Sequence, residues 1–352
     1  FARRAFLGRL ARLAGIGSLG ASVAVVAGRV VAAGLAVPTG SRRAHAPGGF
    51  GPTPAVTPVE EFYVVAKDLV PPTIDPATWR LEVSGLVERP RAFTLDELRA
   101  FPRVEAYRTL QCISIQVVRA DDLIGNQRWA GVRLRDLLAA VGVRPGASHV
   151  LWRSADGYRE SLPLEAALED RTWLVDEMGP PGTPLTVEHG YPLRVLIAGR
   201  YGMKQPKWLT GIELADHDEP GYWEQRGWDA QAVVRTYSRI DEPLDGDRVP
   251  AGVPFRVYGV ANAGDRGIER VEVSADDGRS WTDAELDRRT PGLGPLTWVR
   301  WRAEVVVQTP GAAVLVVRAT DGRGEVQDGT VRPPLPSGAT GWHRVAVVAV
   351  SA

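Results

Sequence analysis

The chain holds a single cysteine, Cys112, among 352 residues. No internal disulfide can form, and one thiol cannot build a zinc cage or an iron–sulfur site. Taken alone, such a cysteine is a small buried hydrophobe with no chemistry. Net charge is absent as well, with 42 Lys and Arg against 42 Asp and Glu. Nothing global therefore favours nucleic acid or an anionic membrane, and any basic site must be local. There is no Gly-rich phosphate loop of the P-loop or Rossmann kind. A haem motif of the Cys-x-x-Cys-His type is missing too.

What is there fits a soluble globular protein: 44% hydrophobic and 24% charged residues, ordinary values, over a length that accommodates two domains with separate cores. The 11 Trp point to large buried aromatic anchors. The sequence begins at Phe1 rather than Met, as a fragment or processed product would. Ala2-Arg3-Arg4-Ala5-Phe6-Leu7 has the form of a twin-arginine export signal, ahead of a weakly apolar stretch from Leu13 to Val37. That stretch has the length to span a bilayer, but Arg29 within it would cost roughly 2.5–3.5 kcal/mol in hydrocarbon. Ala44-His45-Ala46 offers a small-x-small cleavage site. Residues 1–46 are thus expected to be a signal or membrane-anchor helix on an exported, periplasmic or cell-surface protein. Pro47 to Pro58 follow as a linker.

Residues 59–230 mix strands and short helices without a regular βαβ rhythm, which favours α+β. Trp79 to Val83 alternates as a half-buried strand does and ends at Gly85. Thr94-Leu95-Asp96-Glu97 spells a capping box for a helix that stops before Pro102. Leu134, Leu137, Leu138 and Val141 share one helical face, with Gly142 placed as the C-terminal cap. Strands are expected at Val150 to Trp152, Leu193 to Ala198 and around Ile212, and Pro163 opens a short helix through Leu168. Cations concentrate between Arg194 and Lys207, beside Gly199 and Gly202. Arg and Lys pair with phosphate and Gly lets backbone approach a ligand, although a solvated basic face has the same pattern. From residue 231 to 352, short alternating runs recur at Phe255 to Val260, Arg270 to Ser274, Val299 to Val306, Val314 to Thr320 and Val345 to Val350. Asp277-Gly278 and Asp321-Gly322 are turn signals. This spacing argues for an Ig-like β-sandwich without the Ig disulfide.

Several motifs, in order, resemble the sulfite oxidase family of molybdopterin enzymes from about Glu61-Phe62-Tyr63 onward. They are Thr109-Leu110-Gln111-Cys112-Ile113-Ser114, Leu123-Ile124-Gly125-Asn126, Trp129-Ala130-Gly131-Val132 and Ser154-Ala155-Asp156-Gly157-Tyr158. Glu188-His189-Gly190-Tyr191-Pro192-Leu193-Arg194, Tyr201-Gly202 to Lys207-Trp208, and Gly221-Tyr222-Trp223 with Arg226-Gly227-Trp228 complete the set. The resemblance implies Mo-molybdopterin, with Cys112 as thiolate ligand to molybdenum beside the two sulfurs of one pyranopterin, and a catalytic role for Ser114 next to it. It implies Tyr63, Ser154, His189, Arg194, Gln205 and Lys207 as cofactor-binding residues, Arg194 and Lys207 on the phosphate. A soft thiolate suits a sulfur-bound metal, and one protein ligand leaves positions open for oxygen-atom transfer. The C-terminal sandwich would then mediate homodimer contacts. With no haem motif in the chain, electrons would pass to or from a separate cytochrome or a quinone-linked membrane subunit.

The departures from the family pattern bear on substrate. Ile115 stands where membrane-associated relatives have Asn, the loop through Asp122 is about two residues longer, and a second extension falls at Gly179 to Thr183. Both loops are expected to border the metal. Ala66 and Val117 occupy places where sulfite oxidases proper carry arginine, and an apolar pocket binds a dianion poorly. Reduction of an S- or N-oxide, or of another small uncharged oxo substrate, is therefore preferred. Sulfite oxidation, with Lys67 or Arg119 supplying the charge, is the alternative. A non-catalytic protein that retains the fold and a cysteine hydrolase using His189 as base are further readings.

Overall fold

The computed structural model describes residues 49–117 and 123–351. The candidate signal segment 1–46 and Arg119 lie outside the described residues. Among the described residues eighteen strands, β1 to β18, make four sheets, against three short α-helices of 5, 8 and 4 residues. The α+β expectation holds in part: the described chain is mostly β with few helices, and its C-terminal half is a β domain. No described helix is long and apolar enough to cross a membrane.

The first half builds two sheets around one core. β1 (Leu81–Gly85), β2 (Arg91–Phe93), β5 (His149–Ser154), β6 (Arg159–Pro163) and β9 (Leu209–Ala215) form a sheet in the order β2-β1-β9-β5-β6. β3 (Arg103–Gln111), β4 (Ile124–Arg133), β7 (Thr172–Met178) and β8 (Arg194–Ile197) form the other, in chain order. Helix α1 (Leu95–Arg99) starts on the expected capping box: the Glu97 N–H donates to Thr94 Oγ1 at 3.1 Å, and the Thr94 N–H donates to Glu97 Oε2 at 2.8 Å. Helix α2 (Leu134–Val141) buries Leu134, Leu137, Leu138 and Val141 and ends at Gly142, φ 73°. Those side chains join Leu81, Val83, Trp152, Leu174, Val195 and Ile212 in a core shared by both sheets. Helix α3 (Leu164–Ala167) follows Pro163 as expected.

The second half is a sandwich. β10 (Tyr237–Glu242), β12 (Phe255–Asn262), β16 (Val299–Val305) and β15 (Glu285–Leu286) face β11 (Arg248–Pro250), β18 (His343–Val350), β17 (Gly311–Asp321), β13 (Ile268–Ser274) and β14 (Thr282–Asp283). Strand β18 buries every second side chain, Val345, Val347 and Ala349, which meet Val257, Trp301 and Leu315 in the core.

The two halves grip the cysteine loop between them. The Thr109 N–H donates to Leu296 O at 2.9 Å, the Trp298 N–H donates to Thr109 Oγ1 at 2.7 Å, and Asn262 Nδ2 donates to Gln111 Oε1 at 2.8 Å. The Pro/Gly-rich segment expected as a linker is packed from Phe50 on. Ala55 O accepts from Asn126 Nδ2 at 2.8 Å and from Trp298 Nε1 at 3.0 Å, stitching the first half to the sandwich.

Candidate active site

Cys112 is the residue after β3, where the chain leaves its pairing with β4. Its N–H still donates to Leu123 O at 2.9 Å, and its O accepts from the Ile115 N–H at 3.2 Å, so a tight turn holds the thiol. The side chain is 9% exposed and opens into a cleft, with Ser114 Oγ 3.0 Å from Sγ. The cleft has a cavity volume of about 200 Å³. Of the residues the sequence picks out, Tyr63, Cys112, Ser114, His189, Arg194, Gln205 and Lys207 line it together. Ser154 does not; it lies buried at the end of β5.

Close backbone approach sets this arrangement. A Cβ on Gly125 of β4 would fall 2.6 Å from Phe62, so the absence of a side chain seats the Phe62 ring on the strand and brings its neighbour Tyr63 over the cleft. Burial, then the nearby Cys112, raise the Tyr63 hydroxyl well above its ordinary pKa, which keeps it a hydrogen-bond donor. His189 packs edge-on against Phe62 at 5.5 Å. Burial first, then the positive charges of Arg194 and Lys207, pull its pKa down to about 4, so it is neutral at pH 7.

Arg194 opens β8 and is buried. Nη1 donates to His189 O at 3.0 Å and Nη2 to Gln205 O at 3.5 Å, while Nε has no partner among the described residues. Burial lowers its pKa to about 10, still charged at neutral pH. Lys207 Nζ donates to Glu188 O at 2.8 Å and stands 4.3 Å from the Trp208 ring centroid. Gln205 spends its amide on backbone: Oε1 accepts from the Ile197 N–H at 3.2 Å and Nε2 donates to Arg200 O at 2.7 Å. Its side chain thereby braces the loop.

The departures in the cysteine loop behave differently from expectation. Ile115 and Val117, 1% and 2% exposed, point away from the cleft and pack with Tyr237, Val260 and Trp298 of the sandwich. The Gly179 to Thr183 turn closes on itself, Met178 N–H to Thr183 O at 3.1 Å, and supplies no cleft residue. Of the described departures only Ala66 faces the cleft, next to Lys67. Sequence reasoning missed the aromatic wall: Trp223 and Trp228, quoted only as motif residues, line the opening with Met203, Asp156 and Tyr158. Their motif was visible, but only the fold brings it opposite Cys112.

Among the described residues no group of three His, Cys, Asp or Glu can hold a metal ion. A metal here must arrive with most of its ligands, which is what a dithiolene-type cofactor does. The cleft fits such a group. One buried polar atom of the cleft, Arg194 Nε, lacks a partner among the described residues, against the rule that buried polar groups are satisfied. Glycines 190 and 202 also leave room beside the cations and Tyr63: a Cβ on Gly190 would lie 3.0 Å from Lys207 Cβ and 3.2 Å from Arg194 Cβ, and one on Gly202 would lie 3.2 Å from Tyr63 Oη. A thiol, a cation pair and a space for an anionic, sulfur-bearing cofactor define a metal-cofactor oxidoreductase.

Comparison with known proteins agrees. Residues 68–223 match the oxidoreductase molybdopterin binding domain and residues 228–350 the Mo-co oxidoreductase dimerisation domain. The chain is 30% identical over 334 residues to sulfite oxidase of Gallus gallus, covering 82% of this chain and 72% of that one. It is 31% identical over 341 residues to mitochondrial sulfite oxidase of Homo sapiens, covering 83% of this chain but 61% of the human one. The sulfane dehydrogenase SoxCD of Paracoccus pantotrophus superposes with a TM-score of 0.67 at 25% identity, covering 78% of this chain and 75% of that one. The chain belongs to the sulfite oxidase family of molybdopterin-dependent oxidoreductases, and its cofactor is Mo-molybdopterin.

Proposed function

We propose that this enzyme carries out two-electron oxygen-atom transfer on a small uncharged substrate, acting as a reductase of an S- or N-oxide. The observation that carries this reading is the wall around Cys112: Val65, Ala66, Ile113, Met203, Trp223 and Trp228. Among the described residues the one guanidinium in the cleft, Arg194, has both terminal nitrogens turned onto carbonyls. A dianion would meet this apolar wall with Lys67 already paired to Asp68 and Lys207 donating to Glu188 O. Bound with Cys112 as its protein ligand, the cofactor supplies a two-electron centre with exchangeable oxygen positions.

The chain's own residues do the rest. Ser114 hydrogen-bonds the thiolate and fixes its direction. Tyr63, kept protonated, and neutral His189 offer hydrogen bonds to the pterin. Arg194, through its unpartnered Nε, and Lys207 take its phosphate, and Gln205 holds the loop that presents them. The sandwich is proposed as a homodimer contact, and electrons as coming from a separate cytochrome or quinone-linked membrane subunit. The twin-arginine-like start supports export to the periplasm or cell surface, with the N-terminal segment as a candidate anchor. A second reading, sulfite oxidation, is supported by Lys67 in the cleft lining and by the names of the relatives. The two separate in one assay pair: reduction of neutral sulfoxides and amine oxides by reduced viologen, against sulfite-dependent reduction of ferricyanide. Oxide reduction with no sulfite activity supports the proposal, and the reverse overturns it.

A further inference from the structure

Three segments of the cleft wall are tied together from behind by one ionic cluster. Lys204 Nζ donates to Glu160 Oε1 and to Glu224 Oε1, each at 2.6 Å, with the three side chains 3%, 0% and 6% exposed. Each member sits within two residues of a side chain that lines the cleft. Glu160 on β6 follows Tyr158, Lys204 ends the turn Gly202–Lys204 after Met203, and Glu224 opens the turn Glu224–Arg226 after Trp223. The Tyr158 hydroxyl donates to Met203 O at 2.6 Å, a second tie between the first two segments. Glu224 Oε2 accepts the Gly221 N–H at 3.1 Å, so one carboxylate both closes its own turn and reaches Lys204. Gly221 lets that turn lie on the cluster: a Cβ there would fall 2.5 Å from Glu160 Oε1.

Stability alone does not account for such a cluster. Taking charges out of water costs several kcal/mol per ion, and apolar side chains of similar volume hold a core as well or better. What charge-assisted hydrogen bonds add is direction: one ammonium fixes the place of two carboxylates, where apolar packing lets segments slide. The segment so fixed carries the aromatic wall. Trp223 and Trp228 pack on Ile113, Tyr201 and Met203, and Ile113 is the neighbour of Cys112. Trp223 also stands edge-on to Tyr222, ring centroids 5.0 Å apart. We propose that Lys204 and Glu224 are positioning residues that set the width of the cleft, holding Trp223 against Met203 so that only small substrates reach its end at Cys112. The inference rests on the oxide-reductase reading above for its choice of substrates.

The geometry selects the variants. Glu224→Ala cuts the tie between the Trp223 turn and the Met203 turn, yet Lys204 keeps Glu160 and no charge is left alone. Glu224→Gln keeps an acceptor oxygen for Lys204. Lys204→Met combined with Glu160→Leu and Glu224→Leu removes the tie and leaves no charge of the cluster behind, so it stands in where the single variant fails to fold. None of the three residues lines the cleft, so an effect on substrate choice must pass through the wall.

The test reads substrate preference and the wall on the same holoenzyme samples. With reduced methyl viologen as donor, kcat/KM is compared for dimethyl sulfoxide and the bulkier methyl phenyl sulfoxide. Glu224→Ala and the apolar triple variant are expected to lower the preference for the smaller oxide about tenfold. The change should fall on KM, with kcat for dimethyl sulfoxide kept within about twofold, and Glu224→Gln should restore the preference. Acrylamide quenching of tryptophan fluorescence is expected to rise in Glu224→Ala, and not to rise once Trp223→Phe is added. A cluster that only stabilises would lower the denaturation midpoint and leave preference and quenching at their wild-type values; that result overturns the proposal. If the unsubstituted enzyme reduces neither oxide, the function reading has failed instead, and the quenching comparison still decides whether the cluster holds the wall.

Discussion

Ser114 Oγ lies 3.0 Å from Cys112 Sγ, two residues along the same turn. A hydroxyl donating to a metal-bound thiolate withdraws charge from sulfur and favours the reduced metal. Hydrogen bonds to charged groups are worth about 1.5–3 kcal/mol, of which only the difference between oxidation states appears in a potential. Ser114→Ala is therefore expected to lower the molybdenum potentials by up to about 60 mV, and Ser114→Thr to restore them. An EPR-monitored redox titration of Mo(V) reads this directly.

The positions at which sulfite oxidases proper carry arginine split into two kinds. Ala66 faces the cleft, but Val117 is buried against Tyr237, Val260 and Trp298. Ala66→Arg is expected to create or strengthen sulfite binding, read as a lowered KM for sulfite. Val117→Arg places an unpaired charge in the contact between the two halves and should cost about 3–5 kcal/mol, read as a lowered denaturation midpoint with no gain in sulfite affinity.

Those two residues mark where sequence reasoning ended. Local signals were legible: the Thr94–Glu97 capping box, the Leu134 to Val141 face, and the alternation of β18, which has one face in water. Strand β4 was not, because nearly all of its 10 residues are buried and its polar ones have partners far away in sequence. Asn126 Nδ2 reaches Ala55 O, and Gln127 Nε2 reaches Thr57 O at 2.8 Å. The positions of Cys112, Tyr63, His189 and Arg194 came through motif order. The direction of Ile115 and Val117 depends on the turn after Cys112 and on the sandwich, which no local pattern encodes. Lys204 Nζ donates to Glu160 Oε1 and Glu224 Oε1, 44 and 20 residues away in sequence, a contact with no local signature.

Gly190 has φ +108°, and a Cβ there meets Lys207 and Arg194. Gly190→Ala adds roughly 1–3 kcal/mol of backbone strain and pushes the two cations apart. Purified variant protein is expected to fold but to retain several-fold less pterin, measured by fluorescence of the released, oxidised cofactor.

His343 gives the sandwich an acid sensitivity. Its Nδ1 accepts from the Ile240 N–H at 3.0 Å, and burial pulls its pKa down to about 4 from 6.5. The unfolded chain binds this proton first, so the contribution is complete above pH 6.5 and is lost as pH falls toward 4, up to about 3 kcal/mol. Urea denaturation at pH 7 and pH 4.5 should show that loss, reduced in His343→Gln.

Molybdenum X-ray absorption of the wild-type protein and Cys112→Ala tests the central claim most directly. Three sulfur ligands in the wild type, two from the pterin and one from Cys112, and two in the variant are the predicted result. A sulfur count unchanged by the substitution, or no molybdenum in protein made by a cofactor-competent host, would contradict it.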